Sequence, residues 1–130
     1  MAGAAPIMMM NTTRSNSPLH DARPGFDVAG ALDRLGGNIP LLHDLMCRFV
    51  REHADSADDV DALVAARKPA HAVAALHRLK GAARIVGAVA LASAAQRAED
   101  LLMTGDAAGL ADFRGALDAA CVQCRSITRA

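Results

Sequence analysis

PAHAVAALHRLKGAARIVGAVALASAAQRAEDLLMTG, residues 69–105, reads as two amphipathic helices separated by one short break. Pro69 suits a first helical turn, where its missing N–H costs nothing. Ala72, Leu76, Leu79, Ala83 and Val86 then recur at helical spacing and define one apolar stripe. Gly87, without a β-carbon, suits a C-terminal cap. Leu91, Ala95, Ala98 and Leu102 resume the period, which stops near Thr104-Gly105. So short a connection folds the second helix back along the first, and an antiparallel hairpin is the unit from which the rest of the fold is built.

The chain on either side follows the same pattern. Upstream, Asn38 is a good N-cap with Pro40 just inside the first turn, and Leu42, Leu45, Met46, Phe49 and Val50 share a face. This helix continues through Val60, Leu63 and Val64 to Pro69, with a kink or break expected near Ser56. Before it, Val28, Leu32 and Leu35 make a short helix that Gly36-Gly37 stops. Downstream, Asp106 is expected to open a last helix with Leu110, Phe113, Leu117, Cys121, Cys124 and Ile127 on one stripe. The expectation is an all-α protein: an antiparallel up-down four-helix bundle with a short additional N-terminal helix, over residues 26–130. Residues 1–25, with Pro18, Pro24 and Gly25 and no helical period, read as a disordered leader.

Composition supports this class and removes several functions. Thirty alanines with no Trp or Tyr favour helix over sheet. Fourteen Lys plus Arg balance fourteen Asp plus Glu, so no basic field exists to hold a nucleic acid or an anionic membrane surface. No apolar run approaches the roughly 18–20 residues that cross a bilayer. Arg14 follows the early apolar stretch, the wrong order for a secretory signal, so a cytoplasmic location is expected. Cys47, Cys121 and Cys124 read as reduced thiols rather than a disulfide scaffold.

The helix that begins at Pro69 carries polar residues that solubility does not require. At about 100° per residue, His77 lies roughly 140–160° from the centre of the apolar stripe and should face solvent. Lys80, Gly81 and Arg84 follow at i+3, i+4 and i+7, the positions that meet on one helix surface. A neutral imidazole is a competent nucleophile at neutral pH, and Lys80 and Arg84 would compensate the charge of a phosphoryl group placed on it. Gly81 in mid-helix costs about 1 kcal/mol against Ala, which calls for a reason such as clearance for that group or for a docking partner.

LHRLKGAARIVGA, residues 76–88, resembles the signature of histidine-containing phosphotransfer (Hpt) domains, an H-x-L-K-G core with a later glycine in the same helix. His77, Leu79, Lys80, Gly81 and Gly87 match it position by position. FDVAGALDRLGGNIPLLHDLMCRF, residues 26–49, resembles the family's opening, and LASAAQRAEDLL, residues 91–102, the helix that follows the histidine. The resemblance covers residues 26 to about 128. It implies a phosphorelay intermediate whose phosphorylated residue is His77, with Lys80 stabilising the phosphohistidine and Gly81 clearing space. Glu99 falls where the family often has a side chain that hydrogen-bonds the imidazole. The implied partners are response-regulator receiver domains and a hybrid sensor histidine kinase. The implied protein is a carrier without kinase activity of its own, with no cofactor except the Mg²⁺ that a receiver supplies; a monomer is expected because the bundle closes its own core and leaves no extra apolar stripe. Leu76 and Arg78 depart from the commonest pattern, which has a small residue before the histidine and Thr, Ser or Asn after it.

Other residues have plainer readings. His20, His43, His53 and His71 lack partners at metal-ligand spacing. The C-x-x-C of Cys121 and Cys124 lies within an apolar helical stripe and reads as core. Met8, Met9 and Met10 have nothing to fix a metal geometry, and the acidic run Asp55–Asp61 reads as a solvated helix face. The alternative function on the same face is a helical adaptor that binds a receiver or kinase without accepting phosphate.

Overall fold

A computed structural model describes residues 24–129, which form six α-helices. They are α1 (Val28–Arg34), α2 (Ile39–His53), α3 (Ser56–Ala65), α4 (Pro69–Ile85), α5 (Val89–Met103) and α6 (Leu110–Arg129). The helix expected to run from Asn38 to Pro69 breaks at Ala54-Asp55, close to the expected kink at Ser56. Together α2 and α3 make one arm of an antiparallel four-arm bundle, packed against α4 on one side and α6 on the other. Helices α4 and α5 form the closest pair, as their short connection requires. Residues 1–23, which hold most of the expected leader, lie outside the described residues.

Local signals place the ends. The Asn38 side chain accepts from the Leu41 N–H at 3.1 Å and caps α2, and the Asp27 carboxylate accepts from the Gly30 N–H at 2.9 Å and caps α1. Asp106 does not start α6. Its carboxylate accepts from the Ala108 N–H at 2.8 Å, forming a side-chain turn that delays the helix to Leu110. Four of the helices end in one pattern. After α4, Ala88 N–H reaches the Ala83 carbonyl at 2.8 Å and Gly87 N–H reaches that of Arg84 at 3.2 Å. Equivalent pairs close α1, α3 and α5. The residue in left-handed conformation at each turn is Gly36, Arg67, Gly87 and Gly105, so one of the four is not glycine.

The core draws on every helix, with Phe113, Leu42, Met46, Leu76, Leu79 and Leu91 its largest fully buried side chains. On α5 the buried face is mostly alanine, at positions 92, 94, 95 and 98, and this lets neighbouring backbones approach closely. A β-carbon on Gly109 would lie 2.9 Å from the Ala98 Cα. Gly25, at the end of the expected leader, instead docks on the bundle: its carbonyl accepts from the Ala90 N–H at 3.0 Å. The acidic run is a solvated face, as expected, and it carries a surface ion pair. Asp58 and Asp61 on α3 receive the Arg114 guanidinium of α6 at 2.8 and 2.7 Å. Among the described residues no helix is long and apolar enough to cross a membrane.

Candidate functional site

The exposed face of α4 lies beside α5, and the candidate residues sit along that seam. His77 projects into solvent, with 66% of its side chain exposed. Its Nδ1 faces the Glu99 carboxylate on α5 at 3.6 Å, slightly beyond hydrogen-bond length and within ion-pair range. The other Glu99 oxygen receives the Lys80 ammonium at 3.5 Å. Glu99 therefore bridges imidazole and ammonium, and its own side chain is only 12% exposed.

Lys80 differs from its expected surface position. Its side chain is 8% exposed, and it runs through the α4–α5 seam rather than standing beside His77 in solvent. The alanine face of α5 explains this, because small side chains leave room for the aliphatic stem while the ammonium emerges at the polar edge. There it also donates to Oε1 of Gln96, and the Gln96 Nε2 donates to Asp100 at 2.8 Å. Gln96 and Asp100 are the polar neighbours that helical periodicity on α4 does not reveal. Their signal lay in the spacing of Gln96, Glu99 and Asp100, which puts three polar groups on the edge of an otherwise alanine-lined helix.

Gly81 lies one turn on from His77, and a β-carbon added there would have nothing within 4 Å. No internal contact demands this glycine, so the space it leaves opens outward. Arg84 is exposed and lies further along α4. It lines a shallow groove of about 430 Å³ with Ser93, Gln96 and Arg97, and its carbonyl accepts from the Arg34 guanidinium at 2.7 Å. The structure thus brings His77, Lys80 and Glu99 into one cluster, with Gly81 open next to it and Arg84 at the rim.

On the other side of α4 a second groove, of about 180 Å³, runs between α2 and α4. Leu45, Phe49, Ala82 and Ile85 supply its apolar surface, and Arg48, Glu52 and His53 its polar edge. His53 packs on Phe49 with ring centroids 5.1 Å apart and lies 3.4 Å from the Ser56 hydroxyl. Burial holds its imidazole below the ordinary range; Glu52 opposes that shift and Arg78 adds to it. Arg78 thus acts on the α2 side of α4, away from Glu99.

The model of the Hpt domain family matches residues 44–126, well over half of the chain. The chain belongs to the Hpt domain family. Its match spans α4, α5 and nearly all of α6, so His77, Lys80, Gly81 and Glu99 all lie within the matched Hpt domain. Hpt domains are phosphoryl carriers of phosphorelays and interact with receiver domains, and the helical bundle described above agrees with the Hpt fold. No curated protein and no solved structure matches the chain.

Among the described residues no group of three or more His, Cys, Asp or Glu could hold a metal ion. Cys121 and Cys124 are buried free thiols. Burial pushes the Cys121 thiol up and that of Cys124 up to about 12, so both stay protonated at neutral pH.

Proposed function

We propose that this protein is a phosphorelay intermediate: His77 accepts a phosphoryl group from the aspartyl phosphate of a receiver domain and passes it to another receiver. The observation that carries the proposal is the exposed imidazole whose Nδ1 faces a carboxylate that is itself held by a buried lysine. A proton on Nδ1 is stabilised by Glu99, which leaves the lone pair on Nε2, the nitrogen turned away from Glu99.

Attack by Nε2 forms the N–P bond while the P–O bond to the donor aspartate breaks, and the aspartate leaves as a carboxylate with the bonding electrons. No proton has to depart. The ring keeps its Nδ1 proton and becomes cationic, and Glu99 balances that charge. Lys80 offsets the negative charge of Glu99 and of the incoming phosphoryl group. Transfer to the next receiver is the same displacement in reverse. Mg²⁺ and the carboxylates that stabilise the transition state belong to the receiver, and this protein supplies the nucleophile and local positive charge with no cofactor of its own.

The α2–α4 groove, on the α2 side of the helix that carries His77, is the docking surface in this reading. Its exposed Ile85 and the neighbouring Leu45 and Ala82 offer an apolar contact, with Arg48, Arg78 and Glu52 selecting among receivers by charge. Gly81 lets the receiver backbone approach the histidine. Arg84 adds positive charge at the edge of the contact. The donor is a hybrid sensor histidine kinase, and the protein works in the cytoplasm as a monomer without kinase activity of its own.

The test is to incubate wild type and His77→Gln with a phosphorylated receiver domain and Mg²⁺, following label transfer and its acid lability. Acid-labile, alkali-stable label on wild type alone is expected. A folded wild-type protein that takes no label from a broad panel of receivers, yet binds one of them, would replace this reading with that of a non-phosphorylated adaptor.

A further inference from the structure

His53 stands in the wall of the α2–α4 groove. Helices α2 and α4 run antiparallel, so the groove begins where Leu45 faces Ile85 and Val86. It ends at His53, level with the turn of α4 that carries Arg78, the residue after His77. The imidazole is held on one side only. Its ring packs on Phe49 with centroids 5.1 Å apart, and Nδ1 lies 3.4 Å from the Ser56 hydroxyl. A hydroxyl donates to a bare ring nitrogen and accepts from a protonated one, so Ser56 suits either state of the ring. Nε2 has no partner among the described residues, and its hydrogen bonding falls to solvent.

The groups that act on this ring come from the three helices around it. Glu52 on α2 favours the imidazolium and Arg78 on α4 disfavours it, while α3 brings the uncharged Ser56. Arg48 is the groove's remaining cation, on the same polar edge. Burial outweighs each of these and already holds the imidazole below its ordinary range.

A partner seated in the groove takes the solvent away from Nε2. A neutral ring then loses one water contact, whereas an imidazolium loses the hydration of a full charge, which costs far more. Glu52 and Arg78 both act more strongly as water leaves, but in opposite senses, so they largely offset each other. The added desolvation has no such opponent.

We infer that docking in the α2–α4 groove selects the protein with a neutral His53, so that a receiver is held less tightly in acid and its binding to the protonated protein releases a proton. The inference rests on the groove being the receiver's docking surface, as proposed above, and does not require phosphoryl transfer to His77.

The test measures the affinity of the full chain for an unphosphorylated receiver, chosen from a panel, by calorimetry at about pH 5.5 and about pH 7.5. Because His77 and the receiver titrate as well, the comparison is between wild type and His53→Gln. Wild type is expected to lose about three- to tenfold more affinity at the lower pH than His53→Gln does, the scale of burying one imidazole further. The second readout needs no variant. Imidazole NMR follows the His53 ring of wild type, and its titration is expected to move to lower pH when the receiver is bound.

Equal pH dependence in the two proteins would overturn the inference, and so would a His53 titration that the bound receiver leaves in place or raises. Failure of every receiver in the panel to bind would overturn it too, since the groove would then dock none of them. Label transfer to His77 with an unmoved His53 titration would sink this inference and leave the phosphorelay reading standing. A displaced His53 titration in a protein that binds the receiver but takes no label would do the reverse.

Discussion

The Asp27 N–H donates to the Gly87 carbonyl at 2.8 Å, and a β-carbon on Gly87 would lie 2.7 Å from the Asp27 carbonyl oxygen. The segment leading into α1 is thereby fastened to the turn that ends the site helix. Gly87 also has φ +82°, so a side chain meets both backbone strain and a backbone clash. Gly87→Ala is expected to destabilise the domain by about 2–4 kcal/mol. Thermal unfolding by circular dichroism measures it, and a loss below about 1 kcal/mol would mean that the α1 segment does not hold the turn.

The turn after α3 has the same hydrogen bonds with Arg67 at φ +60°. Left-handed backbone costs a β-carbon-bearing residue about 1–2 kcal/mol, part of which glycine returns through its freer unfolded chain. Arg67→Gly is therefore expected to stabilise by about 0.5–1 kcal/mol and raise Tm by a few degrees. A lower Tm would show that the Arg67 side chain contributes more than its backbone strain removes.

Gly81 offers the sharpest separation of stability from function. Its surroundings are open, so Gly81→Ala is expected to add about 0.5–1 kcal/mol of stability through helix propensity alone. If the space serves receiver approach, the same variant transfers phosphoryl groups more slowly. Denaturant midpoints and transfer rates on one preparation test both. A variant that is more stable and equally fast would remove Gly81 from the docking surface.

Much of this was legible in the sequence, for reasons particular residues make plain. His77 faces solvent because its angle from the Leu76–Leu79–Ala83 stripe is fixed by the helix alone, and Gly87 ends α4 because the turn needs left-handed backbone. Lys80 was harder to place. Its angle leaves it at the border of the stripe, and whether a border lysine is buried depends on how closely the neighbouring helix packs, which the alanines of α5 decide. Gln96 meets Lys80 from a different helix, and no periodicity within either helix contains that information. The break at Ala54-Asp55 was partly legible, since a kink was expected near Ser56 but the apolar period ran through it.

The α2–α4 groove should respond to pH through His53. Burial lowers its folded-state value from the ordinary 6.5, so between the two values the unfolded chain binds more protons than the folded one. Stability is then expected to rise as pH increases through about 6.5 and to fall toward acid until the folded imidazole also protonates. Urea unfolding at about pH 5.5 and about pH 7.5 should show a smaller difference in His53→Gln than in wild type. Equal differences in the two proteins would exclude His53 as the source.

Lys80 and Glu99 test the charge balance of the seam. Lys80→Met keeps the buried stem and removes the ammonium, leaving Glu99 half-buried beside His77 without its cation. The expected cost is about 1–3 kcal/mol, reduced from that of a fully buried pair because Glu99 keeps some solvent contact. Transfer should fall by about tenfold or more, because the phosphoryl group would then approach an uncompensated carboxylate. Adding Glu99→Gln to Lys80→Met should restore most of the stability by removing the orphaned charge, but not the rate, since the cation and the imidazole's partner are both gone. Recovery of the rate in the double variant would show that the ammonium only neutralises Glu99 and does nothing for the phosphoryl group.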